Sequence, residues 1–255
     1  MGKIKDRIKL IIDTKTFHIS VIIIIIAILI FIGIKVIIQY NEQGETNMPF
    51  EISKINIVSS TIGENAQGES QTRWNIDVSQ NNDIYIYIDK NKNYEKEEII
   101  KSVIIDNFEI EKKTEIGTSK IYKPDSSSEK VLFKNVEENS VQSLEFTGAT
   151  NSDIKNLQMS NQGDMIYFRY CNKNIANYSS DDEEINHSEL LKKLSISEDT
   201  LETNLKFDLT MNLNSNKGLK TTINLKLPIN GIVEKGTTTL EKTDLTDLIF
   251  KRVKN

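Results

Sequence analysis

At 255 residues the chain is long enough for one large domain or two modest ones, and for a core that needs neither disulfides nor metal. Its single cysteine excludes an intrachain disulfide, and one cysteine with two histidines excludes a structural zinc site built from those ligands. The formal net charge of −5 is unevenly spread. Residues 1–38 carry Lys3, Lys5, Arg7, Lys9, Lys15 and Lys35 against Asp6 and Asp13, or +4, which leaves −9 for the remainder. An acidic body argues against nucleic acid as a partner, because backbone binding rests on Lys and Arg neutralising phosphates.

Residues 1–16 form a basic tail in which Ile4, Ile8, Ile11 and Ile12 share one helical face, the pattern of a short amphipathic helix on anionic lipid. Phe17 to Ile38 reads FHISVIIIIIAILIFIGIKVII, with His18, Ser20 and Lys35 as its polar side chains. About 20 apolar residues span a hydrocarbon core as a helix, and only a helix satisfies its backbone there without partners. His18 and Lys35 lie near the ends, where they reach the headgroup layer. The predicted partner of Phe17 to Ile38 is therefore the lipid bilayer. Basic residues precede the span and acidic Glu42, Glu45 and Glu51 follow it, which predicts a cytoplasmic N-terminus and an outward C-terminus in the cell membrane. Gln39-Tyr40-Asn41-Glu42 offers no small-x-small cleavage pattern, so the helix is expected to be retained as an anchor.

A linker is expected over residues 39–49, ending at Pro49, and beyond it the pattern changes to a period of two. EISKINIVS alternates imperfectly, TRWNIDVS aligns Trp74, Ile76 and Val78, and DIYIYID sets Ile84, Ile86 and Ile88 against Tyr85 and Tyr87. Residues 99–105 read as a strand, KPDSSSEK as a surface turn, and VLFKNV and VQSLEF as short apolar runs. TGATNSD, near residue 150, is an expected boundary between a first β-rich half (50–149) and a second (150–255).

In the second half, GDMIYFRYC alternates, and NKNIANYSSDDEEINHSE reads as a long polar excursion. SELLKKLSIS reads as one short helix capped by Ser188. LKFDLTMNLNSNKGLKTTINLKLP is a hairpin with one buried face, and Leu248 to Val253 is a closing strand. The expected fold is mainly β: a transmembrane α-helix followed by an antiparallel β-sandwich-like region, either one large sandwich or two small ones.

No residue set assembles into a catalytic, cofactor or metal site. His187 stands beside the acidic run Asp181 to Glu184 without a nucleophile-elbow pattern. Cys171 ends an apolar strand, which favours a buried structural thiol. The acidic run is contiguous and lacks the alternating ligands and glycine of a calcium loop. Two alternatives stand beside a binding role: a surface hydrolase using Cys171 and His187 or carboxylates, and a small-ligand sensor with an enclosed pocket.

The stretches GETNMPFEISKI, NNDIYIYIDKN, IKNLQMSNQGD and TDLIFKRV resemble uncharacterised single-pass, membrane-anchored proteins of low-GC Gram-positive bacteria. The resemblance covers nearly the whole chain. It supports that location and carries over no functional residue; the layout of short tail, one span and large outer domain gives the expected role, a membrane-tethered β domain in the cell envelope with another envelope protein or cell-wall polymer as its partner.

Overall fold

A computed structural model describes residues 15–65, 73–125, 131–149, 157–181 and 184–253. Residues 1–14, which hold most of the basic amphipathic tail, lie outside them, as do residues 150–156 at the expected boundary. The chain forms two units, Met1–Thr46 and Asn47–Asn255.

The first unit is helix α1 (Lys15–Gln43). Its stretch Phe17–Gln43 holds an 18-residue window of mean hydropathy 3.4 that is unburied, long and apolar enough to cross a membrane. The helix outruns the apolar run and takes in residues 39–43 of the expected linker. Nothing before Gly44 breaks it, and Gln39 Nε2 donates to Gln43 Oε1 across one turn. Gly44 ends it at a φ of +66°, with its N–H donating to the Tyr40 carbonyl. That is a left-handed glycine cap, satisfying a carbonyl the helix would otherwise strand.

The second unit is a sandwich of two sheets. The first, sheet A, orders its strands β10-β1-β2-β7-β4, from β1 (Phe50–Asn65), β2 (Trp74–Lys90), β4 (Thr118–Tyr122), β7 (Asp164–Ser180) and β10 (Thr237–Lys242). The second, sheet B, runs β11-β9-β8-β3-β5-β6, from β3 (Ile100–Lys112), β5 (Leu144–Gly148), β6 (Leu157–Met159), β8 (Thr203–Leu213), β9 (Gly218–Lys226) and β11 (Lys251–Val253). All pairings within them are antiparallel except β5 with β6. Both sheets mix strands from residues 50–149 with strands from 150–255, so the division near residue 150 does not separate two sandwiches. One core joins both sheets, with Ile55, Ile57, Ile84, Ile86 and Phe168 facing Val103, Leu205, Phe207 and Leu209.

Irregularities in the ladders decide which residues face the core. A shift between Ile52 and Lys54 in β1 lets Ile52, Ile55 and Ile57 all be buried, which accounts for the imperfect alternation of EISKINIVS. In β3 the register slips between Asp106 and Glu109, with Asn107 at a φ of +54°. Phe108 then packs edge-on to Phe168, at a ring separation of 5.4 Å.

Several sequence expectations are corrected. TRWNIDVS and DIYIYID are the two ends of the single strand β2, joined through the polar Ser79-Gln80-Asn81-Asn82. Residues 172–180 continue β7 as strand instead of leaving as a polar excursion. The turn at His187–Glu189 is capped by Asn186, whose side chain accepts from the Ser188 N–H, not by Ser188. The short helix α2 (Leu190–Lys193) follows it. The closing strand is confined to Lys251–Val253.

A second, smaller cluster closes one end of sheet A. There Ile76, Val78 and Ile175 pack against Leu190, Leu191, Leu201 and Ile232, the last from helix α3 (Ile232–Lys235).

Phe207 is fully buried, with its ring 5.3 Å from Phe168 across the two sheets. Phe207→Ala is expected to cost about 3–5 kcal/mol through lost burial and the cavity left behind. Urea unfolding of the full chain in detergent, followed by Trp74 fluorescence, would read this as a lower midpoint with an unchanged slope.

Candidate functional site

Alternation along β2 and β7 sends odd-numbered residues to the face of sheet A opposite the core. The register sets Asp83 against Arg169, Tyr85 against Tyr167, and Asn81 against Cys171 on that face. Segment 131–136 crosses it: Phe133 is buried there, with the Arg169 guanidinium 4.6 Å from its ring centre. Arg169 donates to both carboxylate oxygens of Asp83, at 2.6 and 3.0 Å, and to Asn135 Oδ1 at 3.1 Å. Asn135 in turn donates to Asn81 Oδ1 at 3.0 Å. The bidentate, partly buried pair therefore pins the crossing segment to the sheet by charge, amide and ring together.

Cys171 lies beneath this network, fully buried, with Asn135 Nδ2 3.9 Å from its sulfur. Burial pushes its thiol up to about 12, and the nearby Arg169 charge offsets only part of that. A thiol so placed is protonated at neutral pH and is not a nucleophile.

His187 is exposed at a different place. Its Nδ1 accepts from the Gly63 N–H at 2.9 Å, just past the point where β10 stops pairing with β1. Thr61 donates in the same direction to the Gly236 carbonyl, so the imidazole continues the edge pairing where β10 ends. Strand β2 separates β1 from β7, which puts two strand spacings, about 10 Å, between the backbones carrying His187's contact and Cys171. The two residues do not form a dyad, which removes the thiol version of the hydrolase reading.

The acidic run is divided: Asp182 and Glu183 lie outside the described residues, and Asp181 Oδ1 is 3.7 Å from Arg73 Nε. Among the described residues no cluster of His, Cys, Asp or Glu is arranged to hold a metal ion.

On the same face of sheet A, Tyr85, Tyr87, Met165 and Tyr167 are half-buried neighbours, and the Tyr167 ring also packs edge-on against Phe133 of the crossing segment at 6.1 Å. Tyr85 and Tyr167 rings lie 6.1 Å apart, and Lys54 Nζ stands 4.6 Å from the Tyr87 ring centre. Burial, then the Asp83 charge, raises the Tyr85 hydroxyl's pKa, so the phenol stays neutral. The patch offers flat rings and hydroxyls, with Lys54 paired to Glu241 at its edge, which suits contact with an amphipathic surface and supplies no reacting group.

A groove of about 430 Å³ lies on sheet B, lined by Asp208, Lys220, Thr222, Asp247, Ile249 and Lys251 among others. Burial raises the Asp208 carboxyl, but hydrogen bonds from Asn107, Lys220 and Thr222 outweigh it and hold the group at about 2. Those bonds occupy the carboxylate and leave the groove's acid structural.

No protein family, curated protein or solved structure matches the chain.

The sequence reading weighed Cys171 and His187, which do not meet, and took Tyr85 and Tyr87, which share a surface, only as one face of a strand. It missed Asp83, Arg169 and Asn135, since partners 34 to 86 residues apart leave no local pattern. The one local signal was SQNND, a polar run inside an alternating strand.

Because the Cys171 thiol is held near 12 when folded, against an ordinary value of 9.0, it contributes stability that is intact below about 9 and is lost as pH rises toward 12. At pH 8 the native thiolate fraction is lower by roughly a thousandfold. Iodoacetamide is therefore expected to modify Cys171 only as the chain unfolds, which mass spectrometry of timed samples with and without urea would show. Equally fast labelling of the native chain would contradict the burial.

Proposed function

We propose that the protein is a membrane-tethered binding module of the bacterial cell envelope. Helix α1 lies in the cytoplasmic membrane with the basic tail inside, and the sandwich works outside without catalysing a reaction. The observation that carries this reading is the helix itself: Phe17–Gln43 holds an 18-residue window of mean hydropathy 3.4 that is unburied. A soluble core helix would bury that surface, whereas a bilayer removes it from water. The charge difference of +4 before residue 39 and −9 after it supports the orientation, because basic flanks are retained in the cytoplasm. The resemblance to single-pass proteins of low-GC Gram-positive bacteria supports the same location.

The tyrosine patch at Tyr85, Tyr87 and Tyr167 is the surface assigned to the partner, either another envelope protein or a wall polymer. Amphipathic rings on a rigid sheet give contact area at low entropic cost, and their hydroxyls accept or donate at the rim. Arg169 is committed to Asp83 and Lys54 is paired with Glu241, so the contact rests on the rings and hydroxyls.

Orientation is tested by placing single cysteines on a Cys171→Ala background, at Asn214 in the β8–β9 turn and at Lys5. In intact cells, a membrane-impermeant maleimide is expected to label Asn214→Cys and to spare Lys5→Cys until the membrane is opened. The reverse pattern would sink the outward orientation. In the same cells, crosslinking should yield one specific adduct that Tyr85→Ala with Tyr87→Ala reduces by tenfold or more.

A further inference from the structure

The core face of sheet A changes character along its length. Toward one end it carries Ile84, Ile86 and Ile88, and toward the other Ile76 and Val78 meet the small cluster. Between them, two consecutive rows are polar. The register sets Ser59, Asn82 and Tyr170 across β1, β2 and β7, and then Thr61, Gln80 and Asn172. All six side chains are at least nine-tenths buried.

The first row is partly satisfied. Ser59 Oγ donates to Asn82 Oδ1, and the Tyr170 hydroxyl lies 3.2 Å from Ser119 Oγ of β4. Five atoms have no protein partner: Thr61 Oγ1, Gln80 Nε2, Gln80 Oε1, Asn82 Nδ2 and Asn172 Oδ1. They belong to neighbouring positions on one face, where Cβ atoms lie about 4.5–5.5 Å apart across strands. Leaving so many buried polar atoms unpaired in one place is costly, and native proteins rarely do it.

Their chemistry restricts what completes them. Two are N–H donors, two are carbonyl-type acceptors, and the hydroxyl is either. A cation would serve the oxygens while facing two N–H groups of like polarity. An anion would serve the N–H groups and be repelled by the oxygens. Neither row contributes a charged side chain to balance an ion. The guest must be small, neutral and able both to donate and to accept.

We infer that the two polar rows form an internal site for small neutral amphiprotic molecules, held between the two apolar clusters. Water is the smallest such guest. At about three hydrogen bonds per buried water, a pair of molecules serves the five atoms. A small amide or alcohol solute has the same chemistry. The site also explains why β2 tolerates Gln80 and Asn82 on its core face: their unpaired atoms are completed by a guest and not by solvent.

The test is a crystal structure of the full chain at a resolution that resolves ordered solvent, with native mass spectrometry of the same preparation. The expected result is density within about 2.7–3.2 Å of Gln80 Nε2 and Oε1, Asn82 Nδ2 and Asn172 Oδ1. An unshifted native mass assigns that density to water, and an added mass assigns it to a solute; both support the site. Direct Gln80–Asn172 and Gln80–Thr61 bonds with no guest would overturn it, as would density at metal–oxygen distances. Gln80→Met, close in shape, should lose the density beside it while the Ser59–Asn82 bond persists. If that variant does not fold, Thr61→Val removes one hydroxyl at nearly constant shape and should displace one guest contact. Unchanged density in the variant examined would contradict the inference.

Discussion

The sandwich depends on the pairing of β2 with β7, two strands of 17 residues each in the middle of sheet A. Ile84, Ile86 and Ile88 project from β2 on one face, and Ile166 and Phe168 lie beside them from β7. Such a row gains little until it is removed from water, at about 25 cal/mol per Å² of apolar surface. That requires β8, with Leu205, Phe207 and Leu209, from a distant part of the chain. Non-local pairing is thus the condition for burial, and it draws both halves of the sequence into one core. The same pairing positions everything on the other face, since Arg169 reaches Asp83 only because the ladder sets them opposite.

How much of this was legible in the sequence follows from the range of each interaction. The hairpin of β8 and β9 was readable because eleven and nine residues alternate without a break around an Asn-rich turn. The apolar helix was readable because a 22-residue run with three polar side chains is long enough to span a bilayer as a helix; its true end at Gln43 was hidden, since Gly44 and not the loss of apolar residues stops it. The single sandwich was hidden because residue order does not reveal which strands become neighbours. Residues 172–180 were read as loop because a bulge near Asn174, with a φ of +56°, breaks the alternation that betrays a strand. For the candidate site, composition revealed the tyrosines but not Asn135, whose role rests on crossing the sheet.

The two faces of sheet A divide the labour. The core face alternates apolar, polar and apolar zones, and the polar zone fixes the strands' register as well as holding a guest, because a slip would bring Gln80 or Asn172 against isoleucine. The other face uses one ion pair to fasten a segment and leaves a rigid tyrosine surface beside it. Breaking such a pair by removing one partner costs about 3–5 kcal/mol when it is buried, and less here, where both side chains retain 13–16% exposure. On the proposed function, a rigid surface on a tethered domain serves recruitment, in which the anchor restricts the search and the sheet supplies the contact.

The central claim is that residues 47–253 form one cooperative sandwich in which the two halves cannot be separated. Native-state hydrogen exchange of the full chain in a lipid nanodisc tests it most directly. The account predicts that core amides of β2, β7, β3 and β8 share a single highest protection and lose it together as denaturant is raised. Two distinct plateaus, one for strands before residue 150 and one for strands after it, would contradict it.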